Sequence, residues 1–536
     1  MNIRIGLDFD NTIVNYDETF REIALKLKII PKKWIGSKIE LRTYLIKKND
    51  ENLWKKLQGL VYGKYMSKAK INPGLKAFLL KSKILNAKVF IVSHKTIHGH
   101  YDKEKNLLRS SALKWIRKNK ITYIEKIYFE STILEKVRRI DKLKLNFFVD
   151  DLSLILNHEY FPKNTKKILY SKNIPKIKNK KIIYAKTWSS VKNAIFGNDN
   201  INHIKKYAEY IYKKKIIYFK KIKGQKNSEL FKVKFNDHKY GAIKKYPNID
   251  EDSRQRIERE ILAISTMKKN NFNNITKLIS HNIDLNIALF EWIDGKQIKT
   301  VNNLEVFSAI NFIKKLKKIP RSCLNKYLYN AVEPCFNLND IKNQINQKKY
   351  NLTINNSSKK ISSFINKFFN PTLKKVIKNN ISKKISLVKI NKQSLILSPS
   401  DFGFHNCLKL KNNKFIFLDF EYFGRDDAIK LVSDFLLHPG MRLTDLQKKF
   451  WTKKMLSIFK NDVFFKRRLS AFIPYYALRW SLIALNDFKI KNVIKYCKDN
   501  RIDKFKFLNA RDSQLKKAIL FCNIAKKETY KKWLNT

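Results

Sequence analysis

Asp8 and Asp10 stand two residues apart in GLDFDNTIVNYD, at the end of a short apolar run, and Thr12 follows at the same spacing. On a strand, residues i and i+2 face one side, so this spacing brings two carboxylates together. Adjacent carboxylates repel unless a cation or a proton lies between them. The pair therefore reads as an Mg²⁺ site or an acid/base couple, with a capped turn as the bland alternative. Three later features weigh against the turn: Ser93 closes the run VFIVS, Lys136 lies in STILEKVRRI, and Asp150 and Asp151 close NFFVD. If these runs are parallel strands of one sheet, their side chains collect at its carboxyl edge, where open α/β sheets bind ligands.

A second constellation lies in SPSDFGFHNCLKLKNNKFIFLDFEYFG, where Asp401 is followed by Asn406 and, after a hairpin-like strand pair, by Asp419. Phosphoryl transfer from ATP needs a carboxylate to orient the acceptor hydroxyl and two oxygen ligands to hold Mg²⁺ on the phosphates. Asp401, Asn406 and Asp419 can supply those three roles.

The elements that must position these groups follow from hydrophobic patterning. IRIGLDFD, AKVFIVSH and KLNFFVDD are short apolar runs ending in polar residues, and helix-like stretches such as FREIALKLK and LLRSSALKWIRK lie between them. They read as buried parallel strands in a βα alternation, so residues 1–197 are expected to form a doubly wound α/β domain. Residues 14–72 are too many for a simple βα turn and are expected to form a helical cap ending near Asn72-Pro73-Gly74. Trp54, Tyr62 and Tyr65 within it read as a packed aromatic core, with substrate contact as the alternative. Residues 198–214 read as a Lys-rich linker, and 215–536 as a second, α+β domain. In that domain ELFKVKF and KYGAIKKY form two strands around the turn NDHK, SRQRIEREILAISTMKK a helix, and ALFEWI another strand. Helical patterns dominate beyond about residue 296, and Asn346–Lys360 reads as a loop or partly disordered connection.

On the residues Asp8, Asp10, Thr12, Ser93, Lys136, Asp150 and Asp151, the first region resembles the haloacid dehalogenase superfamily of phosphatases, whose four motifs occur in this order. The resemblance implies that Asp8 is the nucleophile forming an aspartyl-phosphate and Asp10 the general acid and base. It implies that Thr12, Ser93 and Lys136 bind the phosphoryl group and that Asp8, Asp150 and the backbone carbonyl of Asp10 hold Mg²⁺. Asp151 is either a further ligand or a carboxylate orienting Lys136. His94, Lys95, His98 and His100 read as polar loop residues beside the site rather than a metal centre.

The second region is similar to the aminoglycoside phosphotransferase and choline kinase-like families, with a two-lobed protein-kinase-like fold. This resemblance implies an N-lobe at about 215–295 and a C-lobe at about 296–536. It implies ATP contacts from Lys244, its helix partner Glu260 (Glu258 competing), a phosphate loop from Gly224 to Ser228, and an adenine hinge at Glu291 to Ile293. Pro399-Ser400 stand where many relatives carry His-Gly. By similarity to a subgroup associated with surface polysaccharides, Asp427 and Asp434 are expected to brace the fold, and Arg479, Trp480 and Asn486 to line the acceptor pocket, with buried packing as the alternative for Trp480.

Composition sets the outer bounds. The chain has 536 residues, 44% of them hydrophobic and 13% aromatic, enough for several cores, which excludes global disorder. Lys+Arg total 113 against 45 Asp+Glu, a formal charge of +68. Lys exceeds Arg about fivefold and is spread from end to end, whereas nucleic-acid readers lean on clustered Arg. The charge is thus read as compositional drift, and nucleic acid is not an expected partner. Peripheral contact with anionic membrane stays open, as does the alternative of a basic scaffold with one degenerate domain. A polynucleotide kinase-phosphatase is a third reading, but no GxxxxGK[ST] loop is present. Five cysteines without a CxxC pair, and no apolar run of spanning length, lead to the expectation of a reduced, cytoplasmic protein. Together these readings predict a bifunctional enzyme using Mg²⁺ and ATP. Its expected substrates are phosphorylated and hydroxyl-bearing small molecules such as sugars or amino alcohols.

Overall fold

The run IRIGLDFD becomes β1 (Arg4–Leu7), the centre of a six-stranded sheet in a computed structural model that describes residues 3–99, 107–175, 178–222, 228–249, 252–354, 358–382, 394–489 and 504–535. Its companions are β4 (Lys88–His94), β5 (Lys126–Glu130), β6 (Phe147–Asp150), β7 (Lys166–Tyr170) and β8 (Ile182–Ala185), in the order β5-β4-β1-β6-β7-β8. Every neighbouring pair is parallel. The chain therefore winds outward from β1 in both directions. That reversal beside β1 opens a crevice at the carboxyl ends of β1, β4 and β6.

Helices α4 (Leu75–Ile84), α5 (Leu108–Lys118), α6 (Ile133–Lys142), α7 (Ser153–Leu156) and α8 (Trp188–Phe196) make the connections and cover the sheet. They bury Ile5, Leu7, Val89, Ile91 and Val149 on the strands between them. The expected cap is a helical insert. It is entered through β2 (Val14–Asn15) and left through β3 (Lys70–Ile71), which pair antiparallel as a two-stranded hinge. Between them lie α1 (Asp17–Lys26), α2 (Lys38–Lys47) and α3 (Glu51–Tyr62). Ser37 and Glu40 form a capping box on α2, and the Asp50 side chain caps α3. Trp54 stacks on Phe20 at 5.1 Å, so part of the aromatic set is core, as the sequence indicated.

Residues 198–214 are more than a linker. Asn200 caps α9 (Ile201–Tyr212), which buries Ile204, Tyr207 and Ala208 while its lysines face outward. The buried stripe has i, i+3, i+4 spacing, a signal hidden among the lysines. It joins Leu80 of α4 to a core with Ile216, Phe231, Val233 and Ile243. Those residues belong to β9 (Ile216–Ile222), β10 (Glu229–Phe235) and β11 (Tyr240–Lys245), an antiparallel set. With β12 (Leu278–Asn282) and β13 (Ile287–Glu291) they form a sheet of order β12-β13-β11-β10-β9.

Because that core is continuous with α4, the first compact unit comprises residues 1–251 and 280–289, and the second comprises 252–279 and 290–536. The expected N-lobe at 215–295 is thus divided between them.

The second unit contains α10 (Arg256–Lys269), α11 (Asn303–Lys318), α12 (Arg321–Lys326), α13 (Leu338–Thr353), α14 (Lys359–Phe364) and α15 (Asn370–Ser382). It continues with α16 (Ala428–Leu437), α17 (Asp445–Ile458), α18 (Phe465–Ala484) and α19 (Lys504–Lys526). Most of the described residues in the stretch from Asn346 are helical, since α13 runs to Thr353 and α14 starts at Lys359. Its polar composition misled because Ile341, Ile345 and Leu352 suffice to bury one face. Short strands carry the second constellation: β14 (Lys296–Gln297), β16 (Cys407–Lys409) and β17 (Phe415–Phe417) form one sheet, β15 (Leu395–Ser398) and β18 (Gly424–Asp427) another. Among the described residues no helix is long and apolar enough to cross a membrane.

Candidate active sites

In the first unit the strand ends deliver their polar groups to one place. Ser93 Oγ donates to Asp8 Oδ1 at 2.9 Å, and Lys136 Nζ donates to Asp8 Oδ1 and to Asp150 Oδ2, both at 2.7 Å. Asp8, Ser93, Lys136 and Asp150 are all buried. Burial works against the Lys136 charge, but Asp150 and Asp8 outweigh it and hold the ammonium above the usual lysine range. Burial lifts the Asp150 carboxyl to about 6 against the pull of Lys136, with Asp8 adding to the lift. It lifts Asp151 to about 8, reinforced by the charges of Asp8 and Asp150.

Carboxylate oxygens of Asp8, Asp150 and Asp151 lie within 4.8 Å of one another. Three crowded acidic groups, with one ammonium bonded to two of them, suit a hard divalent cation, and Mg²⁺ fits this donor set. Asp151 makes no bond to Lys136 among the described residues, and its Oδ2 accepts from Asn11 Nδ2 at 2.8 Å. Thr12 follows Asp10 on the same loop. Its hydroxyl is buried without a partner among the described residues, while its carbonyl accepts from Asn72 Nδ2 at 2.8 Å and Trp188 Nε1 at 3.2 Å.

Several participants escaped the sequence reading. Asp10 accepts from Tyr16 OH at 2.6 Å and from Lys95 Nζ at 2.9 Å, and Lys95 is buried. Its position two residues after Ser93 was the available signal. From the insert, Lys38 Nζ reaches Asn11 Oδ1 at 2.9 Å and Tyr62 OH at 2.8 Å. Nothing in the sequence marks Lys38 among so many lysines, because only the folding of α2 over the sheet brings it there. Of the neighbouring histidines, His94 Nε2 lies 2.9 Å from the Ser131 carbonyl, and His100 lies outside the described residues.

In the second unit β15 ends at Ser398, and the chain turns through Ser400, whose φ is 65°, to present Asp401. Asn406 Nδ2 donates to the Asp401 carbonyl at 3.0 Å. The hairpin then sets the remaining distance: Cys407 pairs with Phe417, and Leu418 N donates to the Asn406 carbonyl at 2.9 Å. That register places Asp419, at φ 64°, beside Asn406. A side chain at Gly403 would meet Met441 Cε at 1.4 Å, so close approach explains this glycine in the loop.

Asp401 Oδ1 lies 3.0 Å from His405 Nε2, and His405 stacks on His438 at 4.1 Å. Burial would raise the Asp401 carboxyl, but the His405 hydrogen bond together with the charges of His405, His438 and Lys430 brings the group down to about 2. Ser400, at the Pro-Ser departure, accepts from buried Lys430 at 2.9 Å and donates to the Val332 carbonyl at 3.2 Å. Lys430 was also missed. It anchors the loop through a side chain in place of the expected His-Gly pair.

Glu260 is buried on α10, whereas Glu258 is partly exposed. Glu260 accepts from Phe420 N at 3.2 Å and lies in one carboxylate cluster with Asp419 and Glu421. At the hinge, Glu291 N donates to the Lys277 carbonyl at 2.9 Å. Lys244 and Ser228 are buried in the first unit, and Gly224 lies outside the described residues.

No family model matches the chain, and no curated protein matches it. Solved structures give weak likenesses. A spectinomycin phosphotransferase bound to ADP and spectinomycin aligns with TM-score 0.43 and 11% identity, over 60% of this chain and 98% of that one. An ethanolamine kinase from Plasmodium vivax gives 0.39 and 16%, over 58% and 83%. A choline kinase from Streptococcus pneumoniae gives 0.37 and 13%, over 56% and 93%. At these scores the likenesses decide neither fold nor activity, which rest on the chain's own geometry.

The carboxylates around the second site are braced by cations. Asp427 and Asp462 both bind buried Arg468, the second at 2.5 Å, and burial pushes Asp427 up to about 6 against Arg468's pull. Arg468→Met should cost about 3–5 kcal/mol of stability, because two buried carboxylates lose their cation. Urea unfolding of the variant checks this, and a loss below about 1 kcal/mol would contradict it.

Asp434 accepts from Trp480 Nε1 at 2.7 Å and from Arg479 at 3.3 Å, and Arg479 also binds Glu333 at 2.7 Å. This bonding fits the bracing role expected of Asp434. Burial would raise Glu333, yet Arg479 and Lys348 bring it down to about 2. A carboxyl depressed on folding stabilises above its unfolded pKa of about 4.3 and loses that contribution as pH falls toward 2. The stability difference between wild type and Glu333→Gln should therefore shrink across that window; a difference constant with pH would refute the assignment.

Proposed function

We propose that this chain is a bifunctional enzyme: a phosphomonoesterase of haloacid dehalogenase type, and an ATP-dependent kinase acting on a sugar or amino-alcohol hydroxyl. One observation supports the first activity above others. Asp8, Ser93, Lys136 and Asp150 come from four separate segments and meet in one bonded cluster beneath a helical insert on a two-stranded hinge.

In the proposed hydrolysis Asp8 Oδ attacks phosphorus in line, and the ester oxygen leaves as the P–O bond breaks. Asp10, held by Tyr16 and Lys95, gives the leaving oxygen a proton and then takes one from the water that cleaves the aspartyl-phosphate. Ser93 and Lys136 turn from Asp8 to the phosphoryl oxygens as charge develops there. Mg²⁺, held by Asp8, Asp150, Asp151 and the Asp10 carbonyl, would offset the charge of the phosphoryl group. The insert excludes water as it closes.

For the kinase, the supporting arrangement is Asp401 with Asn406 and Asp419 in one hairpin register. Asp401 orients and deprotonates the acceptor hydroxyl. Asn406 and Asp419 would hold Mg²⁺ on the phosphates of ATP.

The test is ATP consumption and phosphate release with Mg²⁺ across a panel of sugars, amino alcohols and their phosphates. Phosphate release from an ester without ATP, together with ADP formation that requires an acceptor, is the expected pair of results. If no compound supports either, the catalytic reading falls and a binding role for the basic chain takes its place.

A further inference from the structure

We propose that the first unit carries an oxyanion-binding site, separate from the carboxylate cluster, built by Lys81, Lys192 and Lys245 around Asp199. Lys81 lies on α4, Lys192 on α8 and Lys245 at the end of β11, while Asp199 precedes α9. Their ammonium groups stand 2.8, 4.0 and 3.1 Å from the Asp199 carboxylate, and all three lysines are buried. Lysine is seldom buried unless paired, and here three share a single carboxylate. The surplus is two positive charges.

Hydrogen bonding leads to the same surplus. Each ammonium has three N–H groups. Lys81 spends one on Asp199, Lys245 spends two on Asp199 and the Leu285 carbonyl, and Lys192 makes a long 3.4 Å bond to Asn248. More than half of the N–H groups therefore find no acceptor among the described residues. Asp199 cannot serve them, since Tyr207 OH also donates to its Oδ1 at 2.7 Å. His203, on the adjoining turn of α9, has a buried Nδ1 without a partner among the described residues. Burial pushes both Lys81 and Lys245 down, as expected where positive charge exceeds its compensation.

A ligand with several acceptor oxygens and about two negative charges satisfies both the charge and the donors. Phosphate has that chemistry, whether free or carried on a nucleotide. Such a ligand would fasten α4, α8, α9 and β11 together, and β11 also bears Lys244 on its opposite face.

The test is calorimetric titration of the full chain with inorganic phosphate, and separately with ATP, in EDTA and 150 mM NaCl. Without divalent cations the Asp8 cluster repels phosphate, and salt screens the many surface lysines. The expected result is saturable binding of one phosphate per chain, weakened at least tenfold in Lys192→Met. Asp199→Asn, which removes the competing carboxylate, should tighten it severalfold. Circular dichroism of each variant establishes that it is folded, and Lys192→Gln substitutes for any that is not. Absence of saturable phosphate binding overturns the proposal. Binding indifferent to both substitutions also overturns it and identifies adventitious association with surface lysines. Binding of ATP alone, unaffected by Lys192→Met, counts against it too, since that places the nucleotide elsewhere.

Discussion

Asp8→Asn should abolish phosphate release from monoesters, by on the order of 10³-fold or more in kcat, while ATP-dependent transfer by the same protein stays within about twofold of wild type. The substitution keeps the shape of the side chain and removes the nucleophilic oxygen. Asparagine retains an acceptor for Ser93 and Lys136, which both donate to Asp8 Oδ1, so the bonds that locate the residue survive. It also relieves part of the repulsion that lifts Asp150 and Asp151, so the fold should not be weakened. An unchanged or raised thermal midpoint beside lost hydrolysis would therefore mark a chemical defect and not an unfolded one. Asp8→Glu supplies a second reading, because it keeps the charge but moves the oxygen by a methylene. It should be nearly as inactive, since in-line attack depends on position. Normal phosphate release by Asp8→Asn would sink the nucleophile assignment and shift attention to hydrolysis of ATP at the second constellation.

Why Asp8 was visible in the sequence and Lys38 was not has a physical cause. Parallel strands place their carboxyl ends on one edge, so polar residues ending apolar runs are forced together whatever the loops do. Asp8, Ser93 and Asp150 obey that rule, and Lys136, at the start of α6, lies one turn from the same edge. Lys38, Tyr16 and Tyr62 reach the site through an insert whose fold depends on side-chain packing, which no local spacing encodes. The Asp401–Asn406–Asp419 set was legible for a different reason, since a short hairpin fixes the register between its two ends. Lys430 was hidden because it projects from α16, every residue of which is buried, and a charged residue on such a helix carries no periodic signature. The lysine-rich stretch before β9 shows the converse failure. There composition suggested a linker, while Ile204, Tyr207 and Ala208 alone decided that a helix would dock.

The second large effect is expected at Asp401. Asp401→Asn should lower ATP-dependent transfer to any acceptor by about 10²–10⁴-fold and leave monoester hydrolysis unchanged. The carboxylate is brought down to about 2, so near neutral pH it is ionised and ready to accept a hydrogen bond from the acceptor hydroxyl. Asparagine offers a weaker acceptor and cannot take the proton when the oxygen attacks the γ-phosphorus. The apparent KM for ATP should change little, because the Asp401 carboxylate is proposed to meet the acceptor hydroxyl and not the nucleotide. The loop should also persist: its shape depends on the Asp401 carbonyl, which Asn406 binds, and on Ser400, which Lys430 binds. Asn406→Ala provides the contrast. It removes a proposed ligand instead of the base, so its defect should be partly relieved by raising Mg²⁺, whereas that of Asp401→Asn should not. Equal rescue of both variants by Mg²⁺ would show that Asp401 belongs to the metal shell, and transfer within threefold of wild type in Asp401→Asn would remove it from the chemistry altogether.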